Sequence, residues 1–181
     1  PRKGDAKDNL LDDTFYHDLL SRARSGEFLC VIAAPPCSTF SIARWLPSSD
    51  GKQGPPPVRD RDHPTGSPDV SSAHRRELSE ANALVARMAA IIAVSWKLGT
   101  QFIIENPVDR GDRAYPLHYL DSRHAPLWLM PEIIALTRAT GARQVHFPQC
   151  MFGAIWQKRT TFLYSAGFEP WMAPLRKIVC D

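Results

Sequence analysis

Two side chains in this 181-residue chain have the type and placement to do covalent chemistry together. Cys37 follows the apolar run Phe28-Leu29-Cys30-Val31-Ile32-Ala33-Ala34 and two prolines, and Glu105 follows the shorter run Gln101-Phe102-Ile103-Ile104. A thiolate is a soft, strong nucleophile suited to a weakly electrophilic carbon. A carboxyl group can hand a proton to an atom that gains charge during such an attack. In an open α/β sheet, ligands sit beyond the carboxyl ends of the strands. Both residues would lie there if the two runs are neighbouring strands. Taken singly, each has a plainer reading. A cysteine after a strand is often a small buried hydrophobe, and a carboxylate there serves as a helix cap or half of a loop salt bridge.

The surrounding pattern supplies the elements that would position them. Asp12 or Asp13 predicts a helix cap, with a helix running to about Arg24 and stopped by Gly26. The run from Phe28 to Ala34 is unbroken, as in a strand buried on both faces of a parallel sheet. Residues 77–98 carry Leu78, Ala81, Leu84, Val85, Met88, Ile91 and Ile92 at helical spacing, with Gly99 as a C-cap. Strand, helix, strand is a βαβ unit, expected to be right-handed with parallel strands. A helix is predicted over 126–140, starting at Pro126 or Pro131 and closed by Gly141, with short strands at 143–147 and 160–164. Residues 46–76 are rich in Pro, Gly, Ser and Asp and read as one long loop, either a mobile lid or a linker.

Composition narrows the class. Hydrophobic residues are 44% and charged residues 23%, which is ordinary for a globular domain. The net charge of +3 does not announce a nucleic-acid binder, but residues 138–181 hold six basic and two acidic residues, net +4. A basic end suits a phosphate-facing surface, and equally a solvated one. The four cysteines form no C-x-x-C pair, so reduced thiols are expected, in the nucleus or cytoplasm. No Cys/His pair has metal-ligand spacing, and the six histidines have no partner motif that would make Cys37 a hydrolase nucleophile. No apolar run is read as a membrane span and no secretory signal opens the chain.

The wording around both candidates is more specific. Pro35-Pro36-Cys37-Ser38-Thr39-Phe40-Ser41 resembles the Pro-Cys-Gln-x-Phe-Ser nucleophile motif of DNA cytosine carbon-5 methyltransferases. Glu105-Asn106-Pro107 resembles their Glu-Asn-Val motif. The stretch from Phe152-Gly153 through Gln157-Lys158-Arg159-Thr160-Thr161 resembles their Tyr-Gly-x-Pro-Gln-x-Arg-x-Arg segment, in the same order along the chain. The match spans roughly residues 28–165. It implies a partial Rossmann-like methyltransferase sheet, α/β and mostly parallel, with helices on both faces. It also implies a mechanism: the target cytosine is flipped out of DNA, Cys37 attacks carbon-6, Glu105 holds the ring nitrogen and amine, and carbon-5 takes a methyl group from S-adenosylmethionine. Arg159 joins the catalytic set. Cofactor contacts are expected at Pro36, Asn106 and either Asp8 or Asp12, and substrate contacts at Ser41, Arg44 and Gln157. Asn106 is also placed to orient Glu105, and Arg44 or Arg59 to meet phosphates. The 42–76 loop takes the place of the lid that closes over DNA.

The sequence departs from the family in four places. No glycine-rich cofactor loop precedes Cys37, Ser38 replaces glutamine, Thr161 replaces the second arginine, and no target-recognition region follows. A piece of a larger chain with flanking domains is therefore expected, or a reduced domain. The alternative function is a non-catalytic module, derived from such an enzyme, that binds nucleic acid or protein.

Overall fold

The computed structural model describes residues 9–47, 54–154 and 158–179. Four strands and four α-helices alternate with short 3-10 turns: α1 (Asp13–Arg24), β1 (Cys30–Ala33), α2 (Ser72–Lys97), β2 (Gln101–Pro107), α3 (Pro131–Thr140), β3 (Arg143–Pro148), β4 (Arg159–Tyr164) and α4 (Glu169–Met172). The strands form one sheet in the order β1-β2-β4-β3. Only β1 and β2 are parallel; β4 runs antiparallel to both β2 and β3. The fold is mixed α/β, and the expectation of a mostly parallel sheet is corrected. The reason is connectivity. α2 gives β1 and β2 the long crossover a parallel pair requires, whereas β3 and β4 are joined by a short segment that returns the chain antiparallel.

Local chemistry accounts for the helices. The Asp12 carboxylate accepts from Phe15 N and caps α1, with Arg22 and Arg24 in its last turn. Ser71 caps α2, whose 26 residues begin at Ser72, ahead of the apolar stripe that predicted residue 77. Its first turn is polar and carries no periodicity, so the cap and not the pattern marks the start. By length and composition alone α2 is long and apolar enough to cross a membrane, as the core helix of a packed domain also can be. Here it is the central helix of the packed layer, against α1, α3, β1 and β2.

The main core lies between these helices and one sheet face. Val85, Met88 and Ile92 of α2 and Ile133 and Leu136 of α3 meet Phe102, Ile104 and Leu163. Ile104 and Leu163 are fully buried, and each such side chain contributes about 2 kcal/mol. The other face carries a smaller cluster of Val145, Tyr164 and Met172, covered by α4 and the turn Ala173–Lys177. That cover does not extend to β1. Leu29 is 92% exposed and Ile32 75%, so the run expected to be buried on both faces is an edge strand with one open face.

The C-terminal cover is fastened by charge. Glu169 accepts from Tyr164 Oη, Arg143 Nη1 and Arg176 Nη1. Arg176, then Arg143 and Tyr164, hold its carboxyl at about 2, below the ordinary 4.5. A carboxyl depressed in the folded state adds stability that is complete above its ordinary value and fades as pH falls towards about 2. Glu169→Gln is therefore expected to lower the urea midpoint at neutral pH, with the difference from the parent closing at the acid end. A difference that persists unchanged at pH 2 would mean the carboxylate is not its source.

Candidate functional site

Because β1 and β2 are adjacent and parallel, with Cys30 beside Gln101 and Ala33 beside Ile104, the segments leaving their carboxyl ends emerge side by side. The chain after β1 turns through Pro35, Pro36 and Cys37 into the 3-10 turn Ser38–Phe40. Three side chains from elsewhere hold its carbonyls. Asn106 Nδ2 donates to Pro35 O at 3.0 Å, Arg44 Nε to Ser38 O at 2.7 Å, and His124 Nε2 to Phe40 O at 2.9 Å. Cys37 O accepts from Phe40 N at 2.9 Å, closing the turn. Cys37 itself is a half-buried free thiol, neither sealed in the core nor paired.

β2 runs past Ile104 to Pro107, because Glu105, Asn106 and Pro107 pair with Phe162, Thr161 and Thr160 of β4. Glu105 is thus a strand residue and not the first residue of a loop. Alternation sends Glu105 and Asn106 to opposite faces. Asn106 is 1% exposed on the helix side and serves the Cys37 turn, not Glu105. Glu105 faces the other way, where its Oε1 accepts from Lys158 Nζ at 3.1 Å. Lys158 was not singled out from the sequence; its one signal was its place in the third motif.

The post-β2 segment locks onto the Cys37 turn through His124, which is 1% exposed. Its Nε2–H serves Phe40, and its Nδ1 accepts from Arg110 N at 3.1 Å, which fixes the tautomer. Arg61 ties the same region down, bonding Asp109 and His124 O. Gly111 is required by closeness: a Cβ there would lie 2.7 Å from Arg61 Nη1 and 2.8 Å from His124 O.

The remaining sequence-predicted residues divide as follows. Pro36 is exposed and Ser41 caps the next turn by accepting from Ala43 N. Arg44 spends its donors inside the protein, on Ser38 O, Pro56 O and the Glu77 carboxylate, and its side chain is 8% exposed. Arg59 is 2% exposed, stacked 4.2 Å from the Phe40 ring and bonded to Pro64 O, so it cannot meet phosphates. Burial pushes its guanidinium down to about 10. Through these arginines the 54–71 part of the long loop is fastened over the Cys37 turn. Arg159 begins β4, its Nη1 donating to His118 Nδ1 at 3.3 Å. Asp8 and Gln157 lie outside the described residues.

The chain matches no family model, no curated protein and no solved structure. The site must speak through its own geometry.

A methyl donor such as S-adenosylmethionine needs an acidic group for its ribose hydroxyls and polar contacts for its amino-acid end. The cavity of about 330 Å³ beside β1 is lined by Leu10, Phe15, Phe28, Ile32 and similar residues, with Cys30 its only polar group. A second cavity of about 200 Å³, which Pro36 lines, holds only Leu, Ala, Pro and Met. Neither contains a carboxylate, and Asn106 is turned to Pro35. Neither of these two apolar cavities fits the cofactor.

Asn106→Ala would leave the half-buried Pro35 carbonyl without its donor. It is expected to cost about 1–3 kcal/mol of stability and to speed hydrogen exchange at Phe40 N. Unchanged exchange at Phe40 would show that the turn does not depend on this bond.

Proposed function

We propose that the chain carries the base-activating part of a cytosine carbon-5 methyltransferase acting on DNA, with Cys37 as nucleophile and Glu105 as proton donor. The observation that carries this reading is the pairing of β1 with β2. It brings the thiol turn and the acidic strand to one sheet end, where Asn106 bonds the thiol turn at Pro35 from one face and Glu105 stands on the other. In the reaction, the Cys37 thiolate forms a bond to carbon-6 of the flipped base. The carbon-5–carbon-6 π pair shifts into the ring, and the displaced pair takes a proton at N3 from Glu105, which must first leave Lys158 and take up a proton from solvent. Carbon-5 is then an enamine carbon, ready for an electrophile. Loss of the carbon-5 proton to solvent, return of the N3 proton to the Glu105 carboxylate and departure of the sulfur as thiolate restore the aromatic base.

The overall reaction is methyl transfer from S-adenosylmethionine, but the two apolar cavities along β1 give that donor no seat, and the role assigned to this chain ends with activation of the ring. The open edge of β1, bordered by exposed Leu29 and Ile32, suits the addition of further strands that would supply the seat. The same lack of a seat favours a second reading, a non-catalytic module that binds DNA.

One experiment separates them. The activated ring can accept a deuteron at carbon-5 from solvent and lose its proton, so exchange of the carbon-5 hydrogen of cytosine in DNA requires no methyl donor. Incubation of the chain with DNA in heavy water should give carbon-5 deuteration. DNA binding with no exchange selects the module.

A further inference from the structure

On the sheet face opposite Glu105, a second polar group gathers at the same sheet end; it includes Arg159, expected in the catalytic set but given no step in the reaction above. Arg159 Nη1 donates to His118 Nδ1, so the neutral imidazole carries its proton on Nε2. His118 stands edge-on to His146, with ring centroids 5.7 Å apart, and His146 Nδ1 lies 2.7 Å from Thr161 Oγ1. The charge of Arg159 bears on Arg110, whose buried Nε has no hydrogen-bond partner.

The nearby acids are already engaged. Asp109 is bonded to Arg61 and to Gly111 N, Asp121 is paired with Arg123, and Glu105 is held by Lys158 on the far face. Neither Arg110 nor Arg159 has a carboxylate partner among the described residues. Arg110 O accepts from Leu120 N at 2.7 Å, two residues beyond His118, and the two guanidinium charges act on each other there with no acid between them, a repulsion that an anion would relieve. Their planar donor forks suit the oxygens of a phosphate. The effect on the histidine agrees. Burial, then Arg159, His146 and Arg110, push His118 down to about 4, so it stays neutral beside the two cations.

The group is tied to the nucleophile turn by one residue. Arg110 N donates to His124 Nδ1, and His124 Nε2 donates to Phe40 O, three residues beyond Cys37. We propose that Arg110, Arg159 and His118 bind one phosphodiester of the DNA strand that presents its base to Cys37. The choice of a DNA phosphodiester rests on the function proposed above; the anion-binding chemistry does not.

The test follows His118 ring resonances through a pH titration at constant ionic strength, in chloride, in inorganic phosphate and with a short DNA duplex. Bound phosphate offsets the arginine charge, so the His118 midpoint should rise by about one pH unit or more with DNA. Arg110→Ala should remove that rise and reduce the salt slope of DNA binding by about 1, and Arg110→Lys should restore most of the slope. A midpoint unmoved by both phosphate and DNA overturns the site. A response to phosphate but not to DNA overturns the phosphodiester assignment. The parent-protein titration decides even if Arg110→Ala fails to fold. Carbon-5 exchange with a silent His118 sinks only this inference, whereas a His118 response to DNA without exchange supports the anion site and sinks the proposed chemistry.

Discussion

Cys37→Ser is expected to end carbon-5 exchange, with a loss of roughly three orders of magnitude or more, while leaving the fold unchanged. Carbon-6 of cytosine is a poor electrophile. A thiol reaches its reactive anionic form near neutral pH; a serine hydroxyl does so only with a strong base beside it. Among the described residues no base stands ready to rescue the serine: His124 has both ring nitrogens committed, one to Phe40 O and one to Arg110 N. His118 and His146 are engaged with Arg159 and Thr161. The substitution is nearly isosteric at a half-buried position, and the bonds that shape the turn come from Asn106, Arg44 and His124, which grip backbone carbonyls and not the sulfur. Stability should stay within about 0.5 kcal/mol of the parent. The readouts are deuterium at carbon-5 by mass spectrometry and the urea midpoint. A serine variant that exchanges at the parental rate would rule out the covalent route.

The two runs that became β1 and β2 were plain in the sequence because apolar periodicity is a local property. Their adjacency followed from the helix between them. What β1 faces was not local. The run from Phe28 to Ala34 looks the same whether or not an element covers its second side, so Ile32 reads as core and lies 75% exposed. The end of β2 was misplaced for a related reason. Glu105, Asn106 and Pro107 are poor strand formers, and only the partner strand β4 keeps them extended.

The same limit governs the site. Arg44 looks like a phosphate contact because arginines in loops often are. Its true surroundings, Ser38 O, Pro56 O and Glu77, come from three separate segments that the sequence does not bring together. Asn106 was expected to serve its neighbour Glu105, but strand alternation turns adjacent side chains to opposite faces and hands it to Pro35 instead. Lys158, His118 and Arg110 acquire their roles through contacts across the sheet end, where no spacing rule operates.

Glu105→Gln is the sharper probe of mechanism, because the amide keeps the shape and loses the proton. Glutamine can still hydrogen-bond the ring nitrogen and the exocyclic amine, so DNA binding should change little. It cannot transfer a proton to N3 as the sulfur attacks, and exchange should slow by about 100-fold. The substitution also removes the ion pair with Lys158, 3.1 Å from Oε1, so a loss of rate has a second possible origin. Lys158→Met separates the two. It breaks the same ion pair, at a lysine whose side chain is 42% exposed, yet leaves the carboxyl in place. An exposed pair of this kind contributes about 1 kcal/mol or less, so Lys158→Met should slow exchange by less than about 10-fold. If the lysine variant loses as much as the glutamine variant, Glu105 acts only by anchoring Lys158, and the proton at N3 comes from another source.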